Sequence, residues 1–182
     1  MRKFEVVSKY KDKGIHLPRR STTYSAGYDI EAAEDIIVPS LWQQMIHLIY
    51  TKNLPSTEAI FSIAEVKDLM KKYGMKATLV PTGLKVHVEN DEYLEIKNRS
   101  GNGTSTLLVI PHSSGIIDAD YVNNEDNEGH IMVGLINLSP FNIEIKKGEK
   151  IAQGIISRYR IVDNEDKSSL VKRAGGFGST GI

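Results

Sequence analysis

Short runs of apolar residues, often alternating with polar ones or rich in β-branched side chains, recur along most of the chain. Each run is bounded by Gly, Pro, Asn or Asp, the residues that end strands and form turns. Frequent short strands separated by such turns are typical of an all-β sandwich or barrel. The pattern predicts strands at Phe4–Val7, Ile36–Val38, Thr78–Val80, Leu84–Val88, Tyr93–Ile96, Leu107–Ile110, Ile131–Leu138 and Ile143–Ile145.

One segment, residues 40–76, departs from this pattern because its apolar residues recur at helical spacing. Its first half, from Leu41 to Ile49, and its second half, from Ile60 to Met70, each predict a helix. Ser62 and Glu65 have the spacing of a capping box at the start of the second helix.

Local signals also set the limits of the two helices. Pro39 and Ser40 open the first, Gly74 ends the second, and residues 53–56 join them. A helical hairpin is therefore expected to interrupt a single β domain of residues 1–160. Its apolar faces must be covered either by the hairpin and the β core or by a partner protein. We expect self-packing, because covered faces are commoner than partner surfaces.

The composition limits the classes of partner and of chemistry. With 182 residues, 40% of them hydrophobic, the chain can bury one sizeable core. Lys and Arg number 23, as do Asp and Glu, so no overall basic field favours nucleic acid or a membrane, and any phosphate site must be local. The absence of cysteine excludes disulfides, thiolate catalysis and the cysteine-ligated zinc of nucleobase deaminases. With no apolar signal region or membrane span, we expect a cytoplasmic protein, or one of the host cytoplasm if it comes from a phage.

The C-terminal residues 161–182 turn polar and then rich in glycine, which predicts a flexible tail. Four glycines between Gly175 and Gly181 allow successive N–H groups to form an anion-binding nest. Ser179 and Thr180 add hydroxyl donors, and Phe177 offers a flat apolar face. These features suit a phosphorylated compound with an aromatic base; the alternative is a disordered terminus.

Two acidic segments are candidates for chemistry. Asp118 and Asp120 share one face if they lie in a strand and diverge if they lie in a turn, and a carboxylate in a partly dry pocket can act as general base toward water. Asp-rich turns are also commonly just solvated. Residues 26–30, which include Asp29, either hold the waters of a magnesium ion or cap a turn.

Two further segments carry polar groups suited to phosphate. At residues 99–101 a hydroxyl and backbone N–H groups can meet phosphate oxygens, although the same residues also suit a plain polar loop. Gln153 ends a turn-to-strand passage that begins at Gly148. Such an amide is ordinarily an exposed side chain without a specific role.

The order of these segments is more specific than any one of them. Residues 26–29, 79–83, 99–101, 115–121, 148–153 and 175–181 together resemble the trimeric dUTPases, with all five motifs of that family in sequence order. The resemblance covers the chain apart from residues 40–76. It implies a jelly-roll-like β fold and a homotrimer whose subunits share each active site. It also implies Mg²⁺-dependent hydrolysis of dUTP to dUMP and pyrophosphate, which keeps uracil out of DNA and supplies dUMP for thymidylate synthesis.

The resemblance also implies roles for particular residues. Asp118 would be the general base for the water that attacks the α-phosphorus, and Asp29 would order water around the metal. Tyr121 would pack under the deoxyribose and leave no room for a 2′-hydroxyl. A hairpin over residues 112–117 would read uracil. The residues expected to contact substrate are Arg99, Ser100, Gly101, His112, Gly115, Ile117, Tyr121, Gln153, Arg173, Phe177, Gly178, Ser179 and Thr180.

The chain departs from the family pattern at several places. Asn98 stands where proline or glycine is usual, and His112 where many relatives have asparagine. Lys172 holds the usual place of the tail arginine, but Arg173 is preferred as the phosphate ligand because its planar fork suits phosphate. Residues 122–128 are longer than the usual link. They either lean over the active site or, as we expect, form an exposed hairpin tip.

Two other functions compete with dUTP hydrolysis. A dCTP deaminase, or its bifunctional form, has a similar fold, but Phe177 and residues 115–121 favour the phosphatase. A regulatory protein that uses the trimer and the insertion at residues 40–76 to engage a partner is the alternative from another class. The presence of Asp118, Ser100 and Gln153 argues against lost catalysis without excluding a second role.

Overall fold

The computed structural model describes residues 1–51, 60–166, 168 and 170. Within these residues the chain forms mostly β-strands, with two α-helices and a few short helical turns. The strands are β1 Lys3–Val6, β2 Tyr28–Glu31, β3 Ile36–Val38, β4 Thr78–Pro81, β5 Leu84–His87, β6 Glu92–Lys97, β7 Leu108–Val109, β8 Ser114–Asp118, β9 Met132–Asn137, β10 Ile143–Ile145 and β11 Lys150–Arg158. The helices are α1 Leu41–Thr51 and α2 Ile63–Lys72. The prediction of a mainly β fold is confirmed, and the two helices lie between β3 and β4.

The strands pair in antiparallel sheets around one core. The largest sheet has the order β2-β11-β6-β8, and β4-β9-β7 forms a second; β1 pairs with β5 and β10 with β3. Ile30, Leu94 and Ile96 of the largest sheet pack with Val133 and Leu135 of the second in a single buried cluster. Every sheet contributes to this cluster, so one core holds the domain together.

All eight predicted strands are present, within one or two residues at most ends. β2, β8 and β11 were not predicted, and all three belong to the largest sheet. β2 and β8 carry aspartate or glycine, residues that are depleted in strands, so their composition hides them. They form because β6 and β11 supply backbone partners that are distant in sequence.

The predicted capping box of α2 is confirmed. The Glu65 backbone N–H donates to the Ser62 hydroxyl oxygen at 3.3 Å, and the Ser62 N–H donates to a Glu65 carboxylate oxygen at 2.8 Å. Just after the helix, Gly74 has a φ of +70°, which suits a helix end. The predicted link at residues 53–56 lies outside the described residues.

The prediction that the helices cover their own apolar faces is wrong. α1 is attached to the β domain by polar bonds: the Trp42 indole N–H donates to the carbonyl of Leu138, and the Gln43 amide donates to that of Pro140. Leu48 is the buried residue of the two helices. Trp42 is 61% exposed and Ile63 is 79% exposed. Their neighbours Met45, Ile46, Ile49, Val66 and Met70 are exposed as well.

None of the helices in the described part of the chain has the length and apolar character needed to cross a bilayer.

Candidate active site

A cluster of charged side chains surrounds Asp29 at one end of the largest sheet. The Arg99 Nε donates to Asp29 Oδ1 at 3.0 Å, and the Lys150 Nζ contacts Asp29 Oδ2 at 2.7 Å. The Ser21 hydroxyl donates to the same Oδ2 at 2.8 Å. Asp29 is brought there by β2, Lys150 by the start of β11, and Arg99 by the loop after β6. Two cations therefore converge on one carboxylate, which leaves the cluster with a net positive charge.

The donors around Asp29 determine its protonation. Burial raises the pKa of Asp29, but the hydrogen bonds from Lys150 and Ser21, with the charges of Arg99 and Lys150, outweigh burial and hold that pKa below its ordinary value. Asp29 is therefore ionised at neutral pH. Beside it lies an open cavity of about 370 Å³, whose lining includes Arg19, Arg20 and Lys150. Positive charge in an open cavity suits a polyphosphate.

Gln153 lies directly beside Asp29, because β2 and β11 pair these two residues. Directly paired residues share a face of the sheet. The Gln153 amide donates to the backbone carbonyl of Asn98 at 2.9 Å, which fixes its direction. Gly27 makes room for it, since a Cβ at Gly27 would lie 2.5 Å from Gln153 Oε1.

Ser100 and Gly101 follow β6 at the same end of the sheet and begin a short helical segment, Asn102–Thr106. The Asn102 amide donates to the carbonyl of Ile151 at 2.9 Å, which ties the segment to β11. Asn98 departs from the family pattern, and its side chain has a structural partner here, because its Oδ1 accepts the Ile110 N–H at 3.0 Å. The expected metal residue Asp29 and the expected phosphate residues Arg99, Ser100, Gly101 and Gln153 thus lie at the same end of the sheet.

Asp118 does not belong to this cluster. It is the last residue of β8 and pairs with Tyr93, whereas Ser114, at the other end of β8, pairs with Lys97 in the row of Gln153. Asp120 lies beyond the strand in a 3₁₀ turn, Ala119–Tyr121, so the two carboxylates do not share a strand face.

The separation follows from sheet geometry. Neighbouring strands lie about 4.8 Å apart and residues rise about 3.4 Å along a strand. Asp118 is two strands and four residues away from Gln153, which is about 10 Å across and about 14 Å along the sheet. The backbones are therefore about 17 Å apart, beyond the reach of the two side chains.

The expected uracil-reading hairpin at residues 112–117 is instead a turn between two sheets. β7 pairs with β9 and β8 pairs with β6, so the strands on either side of the turn do not form a hairpin. Ser113 has a φ of +59°, and the His112 Nδ1 lies 2.9 Å from the carbonyl of Ser114. Gly115 and Ile117 follow in β8, and Ile117 packs against the core. Backbone N–H and C=O groups of this turn and strand are therefore the candidates for hydrogen bonds to a nucleobase.

Tyr121 is only 4% exposed. Its hydroxyl donates to the carbonyl of His130 at 3.2 Å and accepts from the Asn127 amide at 2.8 Å. The expectation that residues 122–128 form an exposed tip holds only in part, because Asn123, Glu125 and Asp126 are exposed but Asn124 is not. Asn124 in that loop is 9% exposed and donates to the Tyr121 carbonyl at 2.8 Å, because the loop folds back onto Tyr121.

The remaining predicted site residues lie outside the described residues. They are Arg173, Phe177, Gly178, Ser179 and Thr180, together with the alternative ligand Lys172. Sequence reasoning missed Lys150 and Gly27 as individual site residues, although both lie in segments that it singled out. Lys150 contacts Asp29, and Gly27 contacts Gln153, and both pairs are too far apart in sequence for a local pattern to indicate the contact. In the described part of the chain, no three His, Asp or Glu side chains are grouped as a metal site.

Comparison with known protein families agrees with this geometry. The family model described as dUTPase matches residues 46–181. A deoxyuridine 5′-triphosphate nucleotidohydrolase of Lactococcus lactis subsp. lactis strain IL1403 is 38% identical over 181 residues, covering 100% of this chain and 98% of that protein. The nucleotidohydrolase of the same name from Rickettsia felis is 39% identical over 107 residues, covering 57% of this chain and 68% of that protein.

Solved structures show the same fold. The dUTPase from Streptococcus mutans superposes with a TM-score of 0.66 at 28% identity, covering 89% of this chain and 99% of that one. A mutant dUTPase from phage phi11 of S. aureus, which coordinates a structural Mg(II) ion, has a TM-score of 0.60 at 16% identity over 93% of this chain and 98% of that one. At that identity it is evidence for the fold alone. The expected jelly-roll-like β fold is confirmed, and the chain belongs to the dUTPase family.

Proposed function

We propose that this dUTP diphosphatase hydrolyses dUTP to dUMP and pyrophosphate with Mg²⁺, in sites that the subunits of a homotrimer share. The observation that carries the proposal is the distance between the phosphate cluster and Asp118. A water that attacks phosphorus must lie within about 3.5 Å of its target while it touches its base. About 17 Å of sheet separates Gln153 from Asp118 in one chain. This distance supports a site in which one subunit supplies the phosphate cluster and another supplies Asp118.

In this proposal Asp118 takes a proton from the water whose oxygen attacks the α-phosphorus. The bond from that phosphorus to the α,β-bridging oxygen breaks, and pyrophosphate leaves. Ser100 donates toward the bridging oxygen, where negative charge develops as the bond breaks. Arg99 and Gln153 hold the phosphates from the same end of the sheet. Asp118 and Gln153 lie on strands, and Arg99 and Ser100 lie within three residues of the end of β6, so the sheet supports all four positions.

The residues around Asp29 fit a magnesium ion that arrives with the triphosphate. Asp29 is ionised but already accepts from Arg99, Lys150 and Ser21, so it has little capacity to bind a metal directly. Mg²⁺ keeps several waters and is commonly bound through substrate phosphates. Asp29 would reach such an ion through water. When bound, the ion neutralises phosphate charge and orients the α-phosphorus.

The base and sugar are selected on the Asp118 side of the site. The turn at residues 110–114 and strand β8 present backbone donors and acceptors to uracil. Tyr121 forms the floor below the deoxyribose. The tail residues Arg173, Phe177, Gly178, Ser179 and Thr180 complete the proposal by closing over the nucleotide, with Phe177 on the base.

The test is pyrophosphate release from dUTP, dTTP, dCTP and UTP, each measured with and without Mg²⁺. We expect Mg²⁺-dependent release from dUTP and at least about a hundredfold lower kcat/KM for the other three. UTP and dCTP each add or change a polar group that a fitted site rejects, and dTTP adds a methyl group for which a close-fitting base site has no room. Asp118→Asn keeps the shape and removes the base, so dUTP should still bind but turn over at least about a hundredfold more slowly. Near-normal turnover by Asp118→Asn would refute the assignment of the base. Ammonia release from dCTP would refute the proposed reaction.

A further inference from the structure

The loop Val122–Gly129 holds Tyr121 through a continuous set of amide hydrogen bonds. Asn124 donates its amide to the Tyr121 carbonyl at 2.8 Å and to Asn127 Oδ1 at 3.0 Å. Asn127 in turn donates to the Tyr121 phenol oxygen at 2.8 Å. Two asparagines of one loop therefore grip both the backbone and the ring end of the same tyrosine.

The loop is itself built to hold this shape. Asn124 Oδ1 accepts the backbone N–H groups of Asp126 and Asn127, both at 3.1 Å. Asn127 Oδ1 accepts the N–H of Gly129 at 3.0 Å. A Cβ at Gly129 would lie 2.8 Å from the Tyr121 carbonyl oxygen, and Gly129 has a φ of +79°. Only glycine allows the loop to close this tightly against Tyr121.

The far side of the loop is fastened to the β domain. Lys85, on β5, donates to Asn123 Oδ1 and to Glu128 Oε1, both at 2.7 Å. The backbone N–H of Ser8 donates to Glu128 Oε2 at 2.9 Å. The hydrogen bonds from Lys85 and Ser8 outweigh partial burial and lower the pKa of Glu128 to about 2. The loop is thus anchored to the domain by an ionised carboxylate at neutral pH.

We propose that Asn127 is a positioning residue that sets the selectivity of the enzyme for deoxyribose over ribose. The proposal rests on the proposed function, in which the ring of Tyr121 forms the floor below the sugar. Asn127 and the His130 carbonyl hold the phenol oxygen from two directions, so the ring cannot retreat from a 2′-hydroxyl. Loss of the Asn127 amide leaves one of these two bonds and lets the ring move by a few tenths of an ångström.

The experiment compares kcat/KM for dUTP and for UTP in the full-length enzyme with Mg²⁺. Asn127→Ala should lower the dUTP/UTP ratio of kcat/KM by about fivefold, the equivalent of one neutral hydrogen bond. The change should come mainly from a lower KM for UTP. A loss of folded protein reduces both rates equally and leaves the ratio unchanged, so the ratio separates positioning from stability.

Two further variants make the test decisive. Tyr121→Phe removes the phenol oxygen while it keeps the ring and the loop, and it should also lower the ratio. In the Tyr121→Phe background, Asn127→Ala should add little, because both changes break the same contact. Glu125→Ala is the matched control, because it truncates an exposed side chain of the same loop. The ratio should stay at the wild-type value in this control.

The outcomes separate this inference from the proposed function. Wild-type enzyme that does not prefer dUTP over UTP contradicts the proposed function. If the wild type prefers dUTP, two results overturn the positioning role alone. One is an unchanged dUTP/UTP ratio of kcat/KM in Asn127→Ala. The other is an equal effect of Asn127→Ala in the wild-type and Tyr121→Phe backgrounds. If Asn127→Ala does not fold, an unchanged ratio in Tyr121→Phe overturns it instead.

Discussion

Subunit complementation tests most directly whether the active site is shared. Asp118→Asn removes the base from one half of the proposed site. Ser100→Glu places a negative charge in the other half, at an exposed position where the fold tolerates it. Each variant alone should keep less than about 1% of wild-type kcat, because every site of its homotrimer carries the defect. Co-expressing the two variants with different affinity tags and purifying over both tags gives trimers that contain both kinds of subunit.

The expected recovery follows from the arrangement of the sites. In a closed ring each site takes Asp118 from one subunit and Ser100 from the next. Any mixed ring of three then contains one junction at which both residues are intact. Mixed trimers should therefore regain about one third of the wild-type kcat per trimer. The assay is pyrophosphate release from saturating dUTP with Mg²⁺.

A matched pair controls for effects of mixing itself. Ser100→Glu and Gln153→Glu both damage the phosphate half, and these residues lie at the same end of one sheet. At each of the three sites of a mixed trimer a single subunit then supplies both residues, so every site carries one of the two defects and no site is intact. We expect no recovery from this pair. The shared-site reasoning is refuted if Asp118→Asn and Ser100→Glu regain no activity in trimers that carry both tags.

Two further predictions concern residues that support the site. Burial and the charge of Lys9 lower the pKa of His130 from 6.5, although the charges of Glu34 and Glu128 oppose this. The His130 Nε2 accepts the Gly83 N–H at 2.9 Å, so the folded state needs the neutral ring. The contribution of His130 to stability is present above pH 6.5 and is lost as pH falls below that value. The free energy of unfolding in urea should therefore fall from pH 7.5 to pH 5 in the wild type, and it should fall less in His130→Gln but equally in the exposed control His47→Gln. Equal pH dependence in the wild type and His130→Gln would contradict this. Gly27→Ala should lower kcat/KM for dUTP by at least about tenfold, because the new Cβ displaces Gln153. The control Gly134→Ala, whose new Cβ would have its nearest contact at an ordinary 3.7 Å, should keep wild-type activity. Equal activity in both variants would show that the position of Gln153 is unimportant.

The features that the sequence predicted well depend on local signals. The capping box of Ser62 and Glu65 needs residues three apart and is formed as expected. Alternating strands such as Glu92–Lys97 show their periodicity within six residues. Each of these signals lies within one short stretch of chain.

The features that the sequence did not predict depend on contacts between distant residues. Lys150 meets Asp29 across 121 positions, and no local pattern indicates that pairing. The exposure of α1 and α2 could not be read from helical spacing, because spacing shows that a face is apolar but not what covers it. The loop at residues 122–128 looked like a polar tip, yet Asn124 and Asn127 turn toward Tyr121, which supplies partners for them. Polar composition alone cannot distinguish a solvated loop from an internal amide network.

Each half of the proposed site is rigid within its own subunit. Asp29 is fixed by three donors at one end of the largest sheet, and Tyr121 is fixed by the loop amides at the other. Both halves are held by contacts within the chain itself, so in the proposed site the docking of subunits would bring Asp118 to the phosphates, and the tail would then close over the nucleotide. The same rigidity makes activity depend on assembly: on dilution, kcat per subunit should fall as trimers dissociate, although each chain stays folded. If the site is shared as proposed, the long sheet between the two halves makes oligomerisation a condition of catalysis.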